Sequence, residues 1–497
     1  MKRAFSLILV LAFLLGMTAC GTTADPASVS PNETSAQETT SAQPEETTTE
    51  YGTPDLNFNG EKFTILEYVA ESESWKMFFY HDILAESDSA DPLVEAQFRR
   101  NTQVESELNV KLVTLPTGGS NRKAAHDMLY NFIMAGDKTA DAAMIFAQNL
   151  KDMLAAGDML VNLHDIDSLR LDASWWDQNE VAEFDLYGKL FCLAGDVSLY
   201  RFGSLLGIFF NKDMANELKL PDLYTTARDG KWTFDKMYEY SHTAARDLNG
   251  DGVMDKEDSF GLAGRGSNVT YYILASGERF SKRNEKGDVS IALNTQRVAG
   301  IIQDMIPFFN DMTTNSVSNK ITGYSNAFAE YQMPMFKSNK ILFNYQHLLT
   351  TIEMRDMDAD FGLLPLPKYG DDQAEYYGAL NTTFNSMFVV PVTNNRFEIT
   401  GRVFDALGYY SQQYVTPAYI DQTVRYKTLR DEGAAEMLDV MLANTVYDVA
   451  MLYNWGNIQT NIESMGNSNS TDFASTYAGM EASIQAALAN TVTALKK

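Results

Sequence analysis

The chain has little of what staples small exported proteins together. Two cysteines in 497 residues, Cys20 and Cys192, are too few for a disulfide framework. Positive charge is scarce: 39 Lys and Arg stand against 66 Asp and Glu, a net charge of −27. Such a surface repels nucleic acid and anionic lipid headgroups, which argues against both as partners. The five histidines, His81, His126, His164, His242 and His347, are never paired at metal-ligand spacing. G-x-S-x-G, H-E-x-x-H, a complete G-x-G-x-x-G and a P-loop are all missing, so no nucleophile elbow, zinc helix or phosphate cradle is signalled. Carboxylates are plentiful, so counting alone does not exclude a hydrolase that uses a pair of them.

Among apolar stretches, Phe5 to Leu15 is the one that looks like an address rather than a core element. It follows Lys2 and Arg3, is too short to span a bilayer, and leads to small residues at Thr18-Ala19 before Cys20. Residues 1–19 therefore resemble a bacterial lipoprotein signal, with cleavage before Cys20 and a lipid on its thiol. Met17 stands where that pattern prefers Leu. Residues 20–56 are Thr, Ser, Glu, Pro and Ala with almost nothing to bury, a tether that cannot fold alone. Cys192 is then left single within the apolar run KLFCLAG, which reads as a buried, inert thiol. More than four hundred residues remain, enough for two cores without covalent help.

From Lys62 onward strands and helices alternate. KFTILEYV, NVKLVTLP and DAAMIFA read as strands. Asp91-Pro92 opens a helix with a cap and a first-turn proline, which the spacing turns inward at Val94, Phe98, Val104 and Leu108. Leu129, Phe132 and Ile133 mark one face of the next helix. This alternation predicts a parallel sheet covered on both faces. Thr233 caps a helix with Phe234, Met237, Tyr238, Ser241, Ala244 and Ala245 on one face, and Trp232 before the cap serves as its staple. The stretch DLNGDGVMDKED follows. Asp247, Asn249, Asp251, Val253, Asp255 and Asp258 fall at loop positions 1, 3, 5, 7, 9 and 12, with Gly252 at 6. That is the spacing of a twelve-residue calcium loop, with Asp in place of the closing Glu. One structural Ca²⁺ is expected there. A filled oxygen cage leaves no position for substrate, so the loop is not a catalytic site.

Several stretches stand together in an order that resembles the sugar-binding extracellular solute-binding proteins of ABC importers, the maltose-binding type. They are IMAGDKTADAAMIFAQNLKDMLAAGDMLVNL, SWWD, GKLFCLAGD and IFFNKDMANELKL, then the segment around the calcium-like loop, FKSNKILFNY, RDMDADFGLLPLPKYGDDQAEYYG and PAYIDQTVRYKTLRDEGAAEMLDV. The resemblance covers Phe58 to the C-terminus. It implies an α/β, two-lobed periplasmic-binding-protein-like fold (type II), each lobe a sheet flanked by helices, with a ligand cleft between them. The implied division is 57–198 in the first lobe, 199–382 in the second, 383–435 back in the first, and 436–497 as C-terminal helices of the second. The implied function is capture of a carbohydrate by lobe closure and delivery to a permease, by a monomer anchored to the outer face of the membrane through its lipid. No catalytic residue is expected. The alternatives are a surface glycoside hydrolase, a receptor for a peptide or other polar solute, and an adhesive module of the cellulosome type; that last reading would call for a duplicated calcium loop, and this chain has one. Sugar sites pair flat aromatics with a few hydrogen-bonding groups. On that basis Trp175, Trp176, Tyr200, Arg201, Tyr376, Tyr377 and Trp455 are the expected ligand residues.

Overall fold

The computed structural model describes residues 56–497 except 71–80, 88, 119–120, 355–356, 422–423 and 425–430. The signal, Cys20 and all but the last residue of the tether lie outside the described residues. Strands β1 (Glu61–Tyr68), β2 (Val110–Thr117), β3 (Ala142–Phe146) and β4 (Cys192–Leu193) come first in the chain. Next are β5 (Leu206–Asn211), β6 (Phe260–Gly264), β7 (Ser281–Arg283), β8 (Val289–Ile291) and β9 (Asn315–Val317). The series ends with β10 (Ile341–His347), β11 (Phe361–Leu364), β12 (Gly378–Ala379), β13 (Ser386–Val389) and β14 (Thr445–Val446).

They form two five-stranded sheets, ordered β2-β1-β3-β13-β4 and β11-β5-β10-β6-β9. In the first sheet β1 runs parallel to β2 and β3, and β13 returns antiparallel between β3 and β4. In the second, β10, β6 and β9 are parallel, while β5 is antiparallel to β10 and β11. β3, AAMIF, is buried at every residue, as a strand covered on both faces must be. Each sheet with its helices makes one lobe.

The helix Pro92–Leu108 begins at the expected cap, Asp91 Oδ1 accepting from Leu93 N at 2.9 Å. Its buried face is Leu93, Gln97, Arg100, Val104 and Leu108, whereas Phe98 faces solvent. Apolar spacing missed this rotation because the inward residue is a cation. Arg100 donates to Asp82 O at 2.7 Å and to Ser411 Oγ at 3.1 Å, so its charge is satisfied inside. The helix Phe234–Ala244 starts at Thr233, whose side chain accepts from Lys236 N, and Trp232 before it is buried against Phe343 of β10.

Residues 194–205 carry the chain from β4 to β5, and residues 380–385 carry it back from β12 to β13. These crossings run side by side: Leu205 bridges Leu380, and Asn381 N donates to Ser204 O at 2.9 Å. The helix Phe397–Tyr410 packs on Pro92–Leu108 in the first lobe. The helix Glu432–Ala443 packs on β11 and on the helix Leu223–Arg228 in the second. The chain is therefore back in the second lobe at Asp431, where Tyr224 Oη donates to it at 3.0 Å and Lys212 pairs with it. The expected boundary after residue 435 is corrected by this contact. Asp431 is the N-cap, accepting from Ala434 N at 2.6 Å, so the helix docks whole from its first residue. The C-terminal helices are not confined to the second lobe either. Val449–Tyr453 and Phe473–Leu495 also pack on Lys151–Ala156 of the first.

Candidate functional site

Parallel strands of both sheets point their carboxyl ends toward the same space, a cleft of about 440 Å³. The first lobe contributes Arg122 after β2 and Gln148 after β3. The second contributes Arg265 after β6, Ser318 and Asn319 after β9, and Tyr345 to His347 at the end of β10. Asn381, Thr383 and Phe384 line it from the second crossing. Ligands in open α/β sheets bind outside strand carboxyl ends, and here two such edges face each other. A hollow of about 300 Å³ behind the first lobe, around Leu160 and Phe397, draws on that lobe alone. The cleft is the place where a ligand touches both.

Several of its polar groups are held by hydrogen bonds within the protein. Tyr271 Oη donates to Asn381 Oδ1 at 3.0 Å, and Gln459 Nε2 donates to Thr382 Oγ1 and to Glu463 Oε1, both at 2.9 Å. Thr383 Oγ1 donates to Gln148 Oε1 at 3.1 Å, tying the crossing to the first lobe. Asn268 Oδ1 accepts from Arg265 N at 2.7 Å and holds that turn. Tyr271, Phe328, Tyr345 and Phe384 are the aromatic residues of the lining, each largely buried. His347 lies against Phe384, ring centroids 4.6 Å apart, and burial lowers it to about 3, so it is neutral at pH 7. Burial raises the Glu463 carboxyl above its usual range, opposed by Gln459 and Arg265. Burial lowers the Arg122 guanidinium, and repulsion from Arg265 adds to that.

None of the seven expected ligand residues lines this cleft. Trp175 is buried beneath the first lobe, its Nε1 donating to Asp405 Oδ1 at 3.2 Å and its ring edge-on to Tyr409. Trp176 is buried on Phe388 and over Gly195, where a Cβ would sit 2.2 Å from Cε3. Gly195 also has φ +54°, so backbone and packing both demand glycine there. Tyr200 is buried edge-on to Phe146. Arg201 is held by Asp196 and by Asp177, the latter at 3.1 Å. Tyr376 is buried, its Oη donating to Ala227 O at 3.0 Å. Tyr377 lies under Arg279, 5.1 Å from guanidinium carbon to ring centre, and against Gly277. Trp455 is buried on Tyr453, its Nε1 donating to Thr491 Oγ1 at 3.0 Å. The hinge residues are near the cleft along the chain, but their side chains turn into the lobes. The residues that do line it sit in loops without periodicity, and the signal that finds them is position just past a strand.

The calcium-like loop is closed on itself. Asp247 accepts from Gly250 N at 2.7 Å through Oδ1 and from Gly252 N at 2.8 Å through Oδ2. Asp258 accepts from Leu248 N and Asp255 N, both at 2.8 Å. Asn249 Oδ1, Asp251 Oδ1 and Asp255 Oδ1 accept from Asp251, Val253 and Glu257 amides. Among the described residues no three carboxylate, imidazole or thiol groups converge to hold a metal. A cation here would compete with these amide contacts.

Two facing α/β lobes, side-by-side crossings and a polar cleft at strand carboxyl ends define a two-lobed periplasmic-binding-protein fold. No family model matches the sequence, and no curated protein does. Solved structures do. UgpB from Mycobacterium tuberculosis, in complex with glycerophosphocholine, aligns at TM-score 0.56 and 14% identity over 86% of this chain and 98% of its own. The galacto-N-biose/lacto-N-biose I-binding protein of the ABC transporter from Bifidobacterium longum, in complex with lacto-N-biose, aligns at 0.54 and 11% over 88% and 98%. The ABC substrate-binding protein Lmo0181 from Listeria monocytogenes, in complex with cycloalternan, aligns at 0.53 and 12% over 88% and 98%. What is shared at such identity is the fold.

Proposed function

We propose that this protein is the receptor of an ABC importer: it captures a carbohydrate, an oligosaccharide, between its lobes and hands it to the permease. The observation that carries this reading is the cleft itself, lined from both lobes by amide, hydroxyl and guanidinium residues together with tyrosines and phenylalanines. Binding that bridges the lobes favours their closed arrangement, and no bond need form or break. The structural neighbours with sugars bound support carbohydrate as the ligand. A glycosidase would need two carboxyl groups flanking the scissile bond, and Glu463 is the one carboxylate among the described residues lining the cleft. Calorimetric titration against a glycan panel, with product analysis, tests the reading. A ligand that binds unchanged and compacts the particle in small-angle scattering is expected. A glycan that is consumed overturns it.

The sequence signal supports a location at the extracellular face of the cell membrane, through a lipid on Cys20 and the acidic tether after it, with the folded part acting as a monomer. Cys20→Ala is expected to release the protein into the medium; a variant that stays membrane-bound like wild type refutes the anchor. The spacing of Asp247, Asn249, Asp251, Val253, Asp255 and Asp258 supports one structural Ca²⁺. Because the loop already satisfies its own carboxylates, we place the affinity in the weak extracellular range, on the order of 10⁻⁴ to 10⁻³ M.

A further inference from the structure

Several arginines of this acidic chain are neutralised by a carboxylate, and Arg100 is satisfied by the Asp82 carbonyl and the Ser411 hydroxyl. Arg170, Arg201, Arg228, Arg297, Arg396 and Arg402 each pair with a carboxylate. Arg122 and Arg265 do not: no carboxylate of a described residue lies within ion-pair distance of either guanidinium. They line the cleft from opposite lobes, close enough to repel each other. Arg122 lies over the Phe384 ring at 5.6 Å, which fixes its plane without neutralising it. Glu463 is near enough to attract Arg265, but its Oε1 accepts from Gln459 Nε2 at 2.9 Å. His347 carries no charge at pH 7. The cleft therefore holds two cations against one carboxylate, on a protein whose net charge is −27.

We propose that the captured sugar is acidic, bearing a carboxylate, sulfate or phosphate that Arg122 and Arg265 clamp from the two lobes. This rests on the receptor reading above and narrows its ligand. Guanidinium is the side chain whose planar fork matches such oxyanions with paired hydrogen bonds. The arrangement also couples charge to motion. With the cleft empty, closure brings two guanidiniums together and is opposed. An anion between them turns that repulsion into attraction, so an acidic ligand favours the closed state more than a neutral one. Glu463 and the amide groups remain to take ring hydroxyls.

Titration of the purified chain by calorimetry tests this with four probes: trigalacturonate, its carboxyl-reduced neutral counterpart, a sulfated trisaccharide, and glycerol 3-phosphate. At least one acidic probe is expected to bind more than tenfold tighter than the neutral sugar, with affinity falling as salt rises. Which acid binds identifies the anionic group. Arg265→Ala and Arg122→Met should each weaken that acid by about 10- to 100-fold. Arg122→Lys should recover part of the loss, while melting of the exposed Arg265→Ala variant stays at the wild-type value. A neutral trisaccharide that binds as tightly as the acids, or variants that keep wild-type affinity, overturns the acidic-ligand proposal and leaves the sugar receptor standing. Failure of every probe to bind, or turnover of any, overturns the receptor reading and this proposal with it.

Discussion

Arg201 beside the hinge and the arginine pair of the cleft are the same side chain in opposite circumstances. Arg201 is enclosed by Asp196 and Asp177, and Tyr447 Oη donates to the same Asp177 oxygen at 2.9 Å. Burial opposes its charge, but Asp196, Tyr447 and Asp177 together hold it above the ordinary arginine value. Next to it Glu180 accepts from Ala194 N and Gly195 N at 3.1 and 3.3 Å. Arg122 and Arg265 line the cleft with no carboxylate of a described residue within ion-pair distance. Charge that is matched within the protein holds a shape, and charge left unmatched is available to a ligand.

The largest effect that could break this contrast is on stability. Arg201→Ala removes the cation paired with the buried Asp196 carboxylate, and Trp176→Ala opens a hole over Gly195; each is expected to cost about 3–5 kcal/mol in denaturant unfolding. Arg265→Ala should stay within about 0.5 kcal/mol, as surface changes do. Equal losses at Arg201 and Arg265 would erase the distinction.

A second test uses pH. Asp82 ties the first crossing to the sheet, its Oδ1 accepting from Leu199 N at 2.9 Å. Burial first, then repulsion from Glu67, lifts its carboxyl from 3.8 to about 7, against the pull of Ser386, Leu199 and Arg100. Between those values the folded chain keeps a proton that the unfolded chain releases. The stability this group contributes is complete below pH 3.8 and is lost as pH rises through about 7. Wild type should therefore lose ground to Asp82→Asn across that window in pH-dependent melts. A constant gap between them would remove Asp82 from the pH response.

The smallest effect concerns the loop of Asp247 to Asp258, where carboxylates are matched by amides instead of cations. An ion of the proposed affinity adds about 1 kcal/mol at millimolar concentration, a shift of roughly a degree or two in melting temperature. Asp251→Ala should abolish the difference between calcium and chelator. Identical curves for wild type with and without chelator would leave the loop a self-satisfied turn.

Much of the framework was legible in the residues. The Asp91 and Thr233 caps fall where short polar side chains precede apolar spacing, and β1, β2 and β3 are where continuous apolar runs place them. The two-lobe arrangement came from the order of segments, not from any single pattern. The lining of the cleft was less legible, for a physical reason. Size drew attention to Trp175, Trp176 and Trp455, yet large aromatics are what lobes bury most gainfully. Arg122 in NRKAAHD and Arg265 in AGRGSN carry no periodic signal. Only their place just beyond β2 and β6 marks them, and that requires knowing which strand ends converge. The inward face of Pro92–Leu108 is hidden for a similar reason: apolar spacing does not register an arginine that is satisfied indoors.

β13 has a consequence for how the molecule comes into being. It is an interior strand of the first sheet, pairing Met387 with Ile145 on one side and Phe388 with Leu193 on the other. A ribosome or translocon delivers β1 to β4 long before it delivers β13, and the whole second sheet emerges in between. Until then β3 and β4 have unpaired edges and no middle strand to join them. The first lobe thus cannot finish folding in the order it is made. Its closure waits on a contact of long sequence separation, a late and slow event of the kind that exposes a nascent chain to mispairing. The N-terminal half released alone should behave as an unfinished sheet, and assembly of the protein should be governed by the arrival of residues 386–389 rather than by the folding of either lobe in turn.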